Sequence, residues 1–410
     1  MPVAALAPLR HRSYALAWTA SFVSSIGSWM QSVALGIYLF ETTHQPLWLG
    51  LVTMAAWLPS ALGAPVGGVV ADRWNRQRWI QSNNVVMAGC ASTLAVLVLT
   101  GRLSPTLVVA LAVLEGLSSS ASWAAWQSLL PDLVERDEVL AAVSLSSAQF
   151  NLGRVLGPAL AGVVLLVGSI GWCFAVNAAS FVFVVVSFAF VRCADRPAKA
   201  TAFRPLAELA EGARAAVANA ACRHAIAWVA AIAFVLSPFI SLVPAMAIGV
   251  LHAGHAGTTW LVSAQGLGAV AGSLSLPSLA RRTSRLVVLR GSMLVLVLAI
   301  LAYGLAPSLE VAMGALFLTG GAYVGTLNGL NASVQLHAPR AERSRILSLY
   351  TLSLSLAFPF GSLLQSALAG HYGVRTVTVA SAVLGATGLL AVLGLRPRLL
   401  RAMAAAPSGA

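Results

Sequence analysis

Residues 170 to 191 read IGWCFAVNAASFVFVVVSFAFV, a run with no charged side chain. As an α-helix it is about 33 Å long at 1.5 Å per residue, enough to cross the roughly 30 Å hydrocarbon core of a bilayer. Similar apolar runs lie on either side. Toward the N-terminus they fall near 14 to 40, 47 to 71, 78 to 100, 105 to 129 and 139 to 167. Toward the C-terminus they fall near 223 to 250, 257 to 280, 286 to 305, 308 to 330, 345 to 370 and 374 to 395. The pattern predicts an all-α membrane protein with twelve transmembrane helices in two pseudo-symmetric six-helix bundles. The predicted organisation is an N-terminal bundle over 1–191, a linker with an amphipathic helix over 192–222, and a C-terminal bundle over 223–410.

Composition agrees. Of 410 residues 59% are hydrophobic and only 9% charged, and the mean hydropathy is +0.85. One soluble core could not hide that much apolar surface. The formal charge of +13 would suggest nucleic acid in a soluble protein, but its placement argues otherwise. With both termini in the cytoplasm, Arg102 and Arg375 fall outside and Arg154 within a span, and the rest of the 25 Lys and Arg lie on the cytoplasmic side. That is the positive-inside pattern, so no nucleic-acid partner is expected. No cleaved signal is expected either, because no short apolar core with a cleavage site precedes the first span. Cys90, Cys173, Cys193 and Cys222 stand singly and read as packing residues. His252 and His255 share a loop without a nearby acidic or thiol ligand, so no metal is expected. A Walker A loop needs a lysine, and Lys199 follows Pro197-Ala198 rather than a glycine-rich loop. The energy should come from an ion gradient, with no cofactor.

The halves repeat. At a constant offset of 208, positions 127–162 align with 335–370, and ten pairs are identical. Among them are Gln127 with Gln335, Pro131 with Pro339, Phe150 with Phe358, and Gly153 with Gly361.

Two motifs and several isolated residues carry the functional expectations. After the second span stands Gly68-Val69-Val70-Ala71-Asp72-Arg73-Trp74-Asn75-Arg76-Gln77-Arg78. It resembles the signature loop of the major facilitator superfamily, G-x-x-x-D-R-x-G-R-R, with Asn75 in place of the second glycine. The resemblance implies that Gly68, Asp72, Arg73, Arg76, Arg78 and Asp132 serve gating, with Asp72 docking on the eleventh span and Arg73 pairing with Asp132. In the fifth span, Gly153-Arg154-Val155-Leu156-Gly157-Pro158-Ala159-Leu160-Ala161-Gly162 resembles the superfamily's antiporter motif, G-x-x-x-G-P-x-x-G-G, with Ala161 as the departure at its fixed positions. Small residues four apart permit close helix packing, and Pro158 removes a backbone donor. By resemblance, Gly153, Arg154, Gly157, Pro158 and Gly162 seal an exporter's cavity.

Gly27-Ser28-Trp29-Met30-Gln31, Leu129-Leu130-Pro131-Asp132-Leu133-Val134 and Asn151 to Pro158 are similar to the enterobactin-exporter and transmembrane-secretion-effector branch. The superfamily's fourth-span R-x-x-Q-G is absent, and Leu114-Glu115-Gly116 occupies that region. Charges inside a bilayer are costly, about 3 kcal/mol on insertion scales, so each needs a cavity or a partner. Glu115 and Arg154 both fall near mid-membrane, and an ion pair between them is expected. Trp29, Gln31, Gln149, Asn151, Asn177, Tyr323, Asn328 and Asn331 are further cavity candidates.

The expected protein is thus a bacterial inner-membrane secondary transporter and not an enzyme. It exports a small amphipathic or hydrophobic molecule by alternating access, as a monomer in the lipid bilayer, with proton antiport implied by resemblance. Import on the same fold, a non-transporting membrane enzyme and an assembly factor remain the alternatives.

Overall fold

The computed structural model describes residues 6–73, 75–192, 205–340 and 342–395, without the side chains of 61–73, 205–209, 393 and 395. Thirteen helices account for nearly all of it. The first six are α1 (Arg12–Thr43), α2 (Leu47–Arg73), α3 (Arg76–Leu99), α4 (Pro105–Leu129), α5 (Val139–Val167) and α6 (Ile170–Ala189). A shorter helix, α7 (Pro205–Ala218), follows. The last six are α8 (Ala220–Val250), α9 (Gly254–Arg282), α10 (Arg285–Leu305), α11 (Leu309–His337), α12 (Arg343–Tyr372) and α13 (Val374–Leu395). The twelve-helix membrane fold expected from the sequence is present. Ten of these helices are long and apolar enough to cross a bilayer. In α9, Thr258, Thr259, Ser263, Gln265, Ser273 and Ser275 dilute the hydropathy.

Local chemistry sets where the helices begin. The Asn75 side chain accepts from the Arg78 amide at 3.0 Å and caps α3. Ser104 caps α4, with Pro105 supplying a preset φ at the first helical position. Asn219 and Ser284 cap α8 and α10 in the same way. Gly373, at φ +86°, stops α12 in a conformation that β-carbon-bearing residues avoid.

The chain divides into two compact units, Met1–Thr43 with Ala55–Phe203, and His44–Met54 with Arg204–Ala410. The short start of α2 therefore groups with the second unit, where Gly50 lies against Ser362 and Leu363 of α12. In the first unit, Tyr14, Ala17 and Ala20 of α1 meet Ile80, Ala125, Trp126, Leu129, Ala142, Val184 and Phe188 in one core. Side chains also bond across it. The Tyr14 hydroxyl donates to the Ala142 carbonyl at 2.9 Å, and Gln81 donates to the Val185 carbonyl at 3.0 Å. In the second unit, α9 and α11 touch backbone to backbone. A methyl group added at Gly268 or Gly320 would strike the main chain of Phe317 or Gln265. Helix α7 lies on the start of α12, with Glu211 bonded to Arg345 at 2.9 Å and Gly212 beside the Arg345 carbonyl.

The seventh span, α8, differs from the rest. Two π-turns, Ile232–Leu236 and Ala245–Val250, flank a segment containing Pro238 and Pro244. Each proline lacks an amide hydrogen, so the ladder must open, and the π-turns are where it does so.

Candidate functional site

The first unit carries a polar chain through the middle of its spans. Glu115 lies ten residues into α4, about 15 Å from its start. Gln31 of α1 donates through Nε2 to both Glu115 oxygens, each at 2.9 Å. Asn177 of α6 donates through Nδ2 to Gln31 Oε1 at 2.8 Å. The Ser180 hydroxyl, one turn on, lies 3.0 Å from Asn177 Oδ1 and 2.7 Å from the Asn177 carbonyl. Gln31 and Asn177 are 4% and 1% exposed, whereas Glu115 retains an accessible edge. Gly27 lets α1 and α6 come this close, and Gly116 lets α4 lie against α2. A β-carbon at Gly27 would meet the Ser180 hydroxyl at 2.7 Å, and one at Gly116 would collide with the Ala56 carbonyl.

Arg154 takes a different partner from the one expected. Its guanidinium carbon lies 5.6 Å from the Trp29 ring centroid, a cation–π distance, while Gln31 holds Glu115. Trp29 meets Phe150 at 5.9 Å, and Phe150 meets Trp123 at 6.3 Å. Aromatics from α1, α5 and α4 thus form a row, Trp29, Phe150 and Trp123, with the guanidinium over its first ring. Gly153 and Gly157 seat α5 on α1, beside Ser25 and against Ile26 and Met30. Pro158 is buried within α5 and Gly162 half-buried.

At the α2–α3 turn, the Arg76 guanidinium donates to Asp132 at 2.9 Å and to the Ser128 carbonyl at 3.1 Å. Arg73 was the expected partner of Asp132, but the side chains of Gly68, Asp72 and Arg73 lie outside the described residues. Arg78 is exposed. Asn75 replaces the motif's glycine at φ −62°, an ordinary backbone angle, and acts there as the helix cap.

The remaining candidates do not join the chain. Gln149 is buried, and its Oε1 has no hydrogen-bond partner among the described residues. Asn151 is exposed and bonds back to the Ser147 carbonyl. Asn328 is exposed, Asn331 accepts from Gln335, and Tyr323 meets the Ser237 hydroxyl at 3.1 Å, all within the second unit. Ser180, Trp123 and Phe150 are participants that sequence reasoning did not single out. Ser180 follows Asn177 by three residues and Phe150 precedes Arg154 by four, so helical spacing alone would have placed each beside its neighbour.

Twelve long helices, packed through glycines and holding buried polar groups, make the major facilitator fold. A family model described as "Transmembrane secretion effector" matches residues 3–409, and the chain belongs to that family. The enterobactin exporter EntS of Citrobacter koseri is 26% identical over 93% of this chain and 90% of its own. The staphyloferrin A transporter of Staphylococcus aureus is 28% identical over 37% of this chain and 38% of its own. Among solved structures, a bacterial homolog of the human lysosomal transporter Spinster, inward-facing and occupied, superposes with a TM-score of 0.76 at 15% identity, covering 97% of this chain and 99% of that one. The nucleoside transporter NupG gives 0.68 at 14% identity over 93% of this chain and 99% of that one. These relatives are transporters and not enzymes, and the chain is a multi-pass inner-membrane protein of that kind.

Proposed function

We propose that the protein exports a small amphipathic molecule from the cytoplasm by alternating access, driven by proton antiport, with both termini cytoplasmic. The observation that carries this reading is the first unit's mid-span pairing of an aromatic–guanidinium cluster with a separate carboxylate. Trp29, Phe150 and Trp123 offer apolar faces, and Arg154 offers a cation to an acidic group on the cargo. Glu115, held by Gln31 rather than by a cation, is the carboxylate that carries the proton. Its partner Gln31 is two residues from Trp29, so a change at the carboxylate reaches the cargo surface through α1. The α5–α1 glycine contact matches the antiporter-like motif, and the full-length relatives named exporters favour outward flux. One chain supplies both halves, so a monomer in the bilayer suffices.

The test uses everted vesicles from cells expressing the full chain, with enterobactin and staphyloferrin A as first probes. Extracts of culture medium, fractionated by retention in a deletion strain, supply the next ones. Uptake that requires an acid-inside gradient and collapses with a protonophore is the expected result. Uptake of no fraction above that of empty-vector vesicles, or uptake indifferent to the protonophore, would overturn the reading.

A further inference from the structure

We propose that Glu115, Gln31, Asn177 and Ser180 form a hydrogen-bond chain with two complete settings, selected by whether a proton occupies Glu115. The inference rests on the proton-driven reading above and gives that reading a site and a mechanism of transmission.

The observed setting is polarised in one direction. Ser180 donates to Asn177 Oδ1, Asn177 Nδ2 donates to Gln31 Oε1, and Gln31 Nε2 donates to both oxygens of Glu115. Every dipole in the sequence points its positive end at the carboxylate, which suits the ionised form. A proton from water at the accessible edge of Glu115 forms an O–H bond on one oxygen, and that oxygen then donates. Gln31 answers by turning its amide over, so that Oε1 accepts from Glu115 and Nε2 faces Asn177. Asn177 turns likewise, its Oδ1 accepting from Gln31 and its Nδ2 donating to Ser180.

The chain can end there because of Ser180. Its hydroxyl already lies 2.7 Å from the Asn177 carbonyl, so its single hydrogen has a standing acceptor and its lone pairs are free to receive Nδ2. Every link of the chain is closed in either setting, and broken links are what make half-satisfied networks costly. Deprotonation reverses each turn and returns the proton to water. Proton occupancy on α4 is thereby written into the contacts of α1 with α6.

Few other charges intrude. Cys90 on α3 and Cys173, one turn before Asn177 on α6, are buried thiols. Arg154 on α5 faces Trp29. The intramembrane stretches of α1, α3 and α6, and the described part of α2, hold no charged side chain.

The experiment is an infrared pH titration of the full chain reconstituted in liposomes without cargo, with isotope-labelled glutamine. As pH falls, a protonated-carboxyl component should grow in the difference between the wild-type and Glu115→Gln spectra, which cancels the other carboxyl groups, together with a shift of the labelled amide that Glu115→Gln lacks. Ser180→Ala takes a donor from Asn177 Oδ1 in the ionised setting and an acceptor from Asn177 Nδ2 in the protonated one; an orphaned N–H is the costlier loss, so the midpoint should move to lower pH by less than about one unit. A difference spectrum between wild type and Glu115→Gln without a carboxyl component, an amide band that ignores the titration, or a Ser180→Ala midpoint that stays or rises would each overturn the proposal. Vesicles that transport nothing while this titration stands would count against the exporter reading alone.

Discussion

The α1–α5 contact of the first unit and the α8–α12 contact of the second are the same junction written twice, 208 positions apart, and they are built differently. Gly153 lies beside Ser25, and its counterpart Gly361 lies against the main chain of Phe234. Gly157 sits over the Ile26 carbonyl, whereas Gln365, at the equivalent position, donates to the carbonyls of Phe234 and Val235 at 3.2 and 2.7 Å. The reason lies in the helix beneath. Helix α1 is a continuous 32-residue helix, so its carbonyls are occupied and a glycine suffices to approach it. Helix α8 opens into a π-turn at Ile232–Leu236, and Gln365 bonds two of the carbonyls in that turn. Glu115 and Tyr323 also correspond at this offset. One unit keeps an ionisable group joined to an amide chain, and the other keeps a phenol on Ser237. A duplicated fold has thus placed titratable chemistry on one side and a braced, bent helix on the other.

The largest effect should come from filling the tighter of the two glycine contacts. An alanine at Gly361 would press on backbone, which cannot rotate away, while one at Gly153 meets chiefly the Ser25 side chain. Gly361→Ala is expected to cost about 3 kcal/mol and Gly153→Ala about 1 kcal/mol. Cys90, Cys173 and Cys222 are free and buried, so thiol-dye labelling during heating reports unfolding directly. Carried out in a Cys193→Ser background, the two melting curves should separate in that order, and equal curves would mean the junctions are alike.

The amino-acid sequence disclosed the spans well and the junctions only in part. Twelve apolar runs translate directly into twelve helices because hydrocarbon leaves the backbone no alternative to satisfying itself. The repeat marked Gly153 and Gly361 as equivalent. It could not reveal that one faces a serine and the other a carbonyl, since that depends on the π-turn in α8. Glu115, Gln31 and Asn177 were each visible as polar residues in apolar runs. Their joining was not, because rotation of α1, α4 and α6 about their axes is fixed by packing at Gly27 and Gly116. The expected Glu115–Arg154 pair followed from depth alone, and depth says nothing of azimuth.

Next in size is Gln365→Ala, which leaves the Phe234 and Val235 carbonyls without their side-chain donor. Unpaired buried carbonyls cost about 2 kcal/mol, so the loss should exceed that of Tyr323→Phe, which removes the hydroxyl's contact with Ser237, worth about 1 kcal/mol. The same dye assay ranks them. Tyr323→Phe should leave the infrared titration of the first unit unchanged, since the phenol lies outside the Glu115 chain. A shifted midpoint in that variant would erase the division of labour between the units.

The smallest difference separates the two ion pairs at helix ends. Arg76 and Asp132 are 20% and 15% exposed, and Arg76 also holds the Ser128 carbonyl, so its geometry is fixed before Asp132 is counted. Glu211 and Arg345 are 44% and 43% exposed, more open to solvent than the first pair. Screening and side-chain entropy erode such a pair. A double-mutant cycle on Arg76→Gln and Asp132→Asn should give a coupling of about 1 kcal/mol, and one on Glu211→Gln and Arg345→Gln no more than about 0.5 kcal/mol. Raising salt should shrink the second coupling and leave most of the first. Equal couplings with equal salt dependence would place both pairs in solvent, and the α2–α3 turn would then hold α4 no more firmly than α7 holds α12.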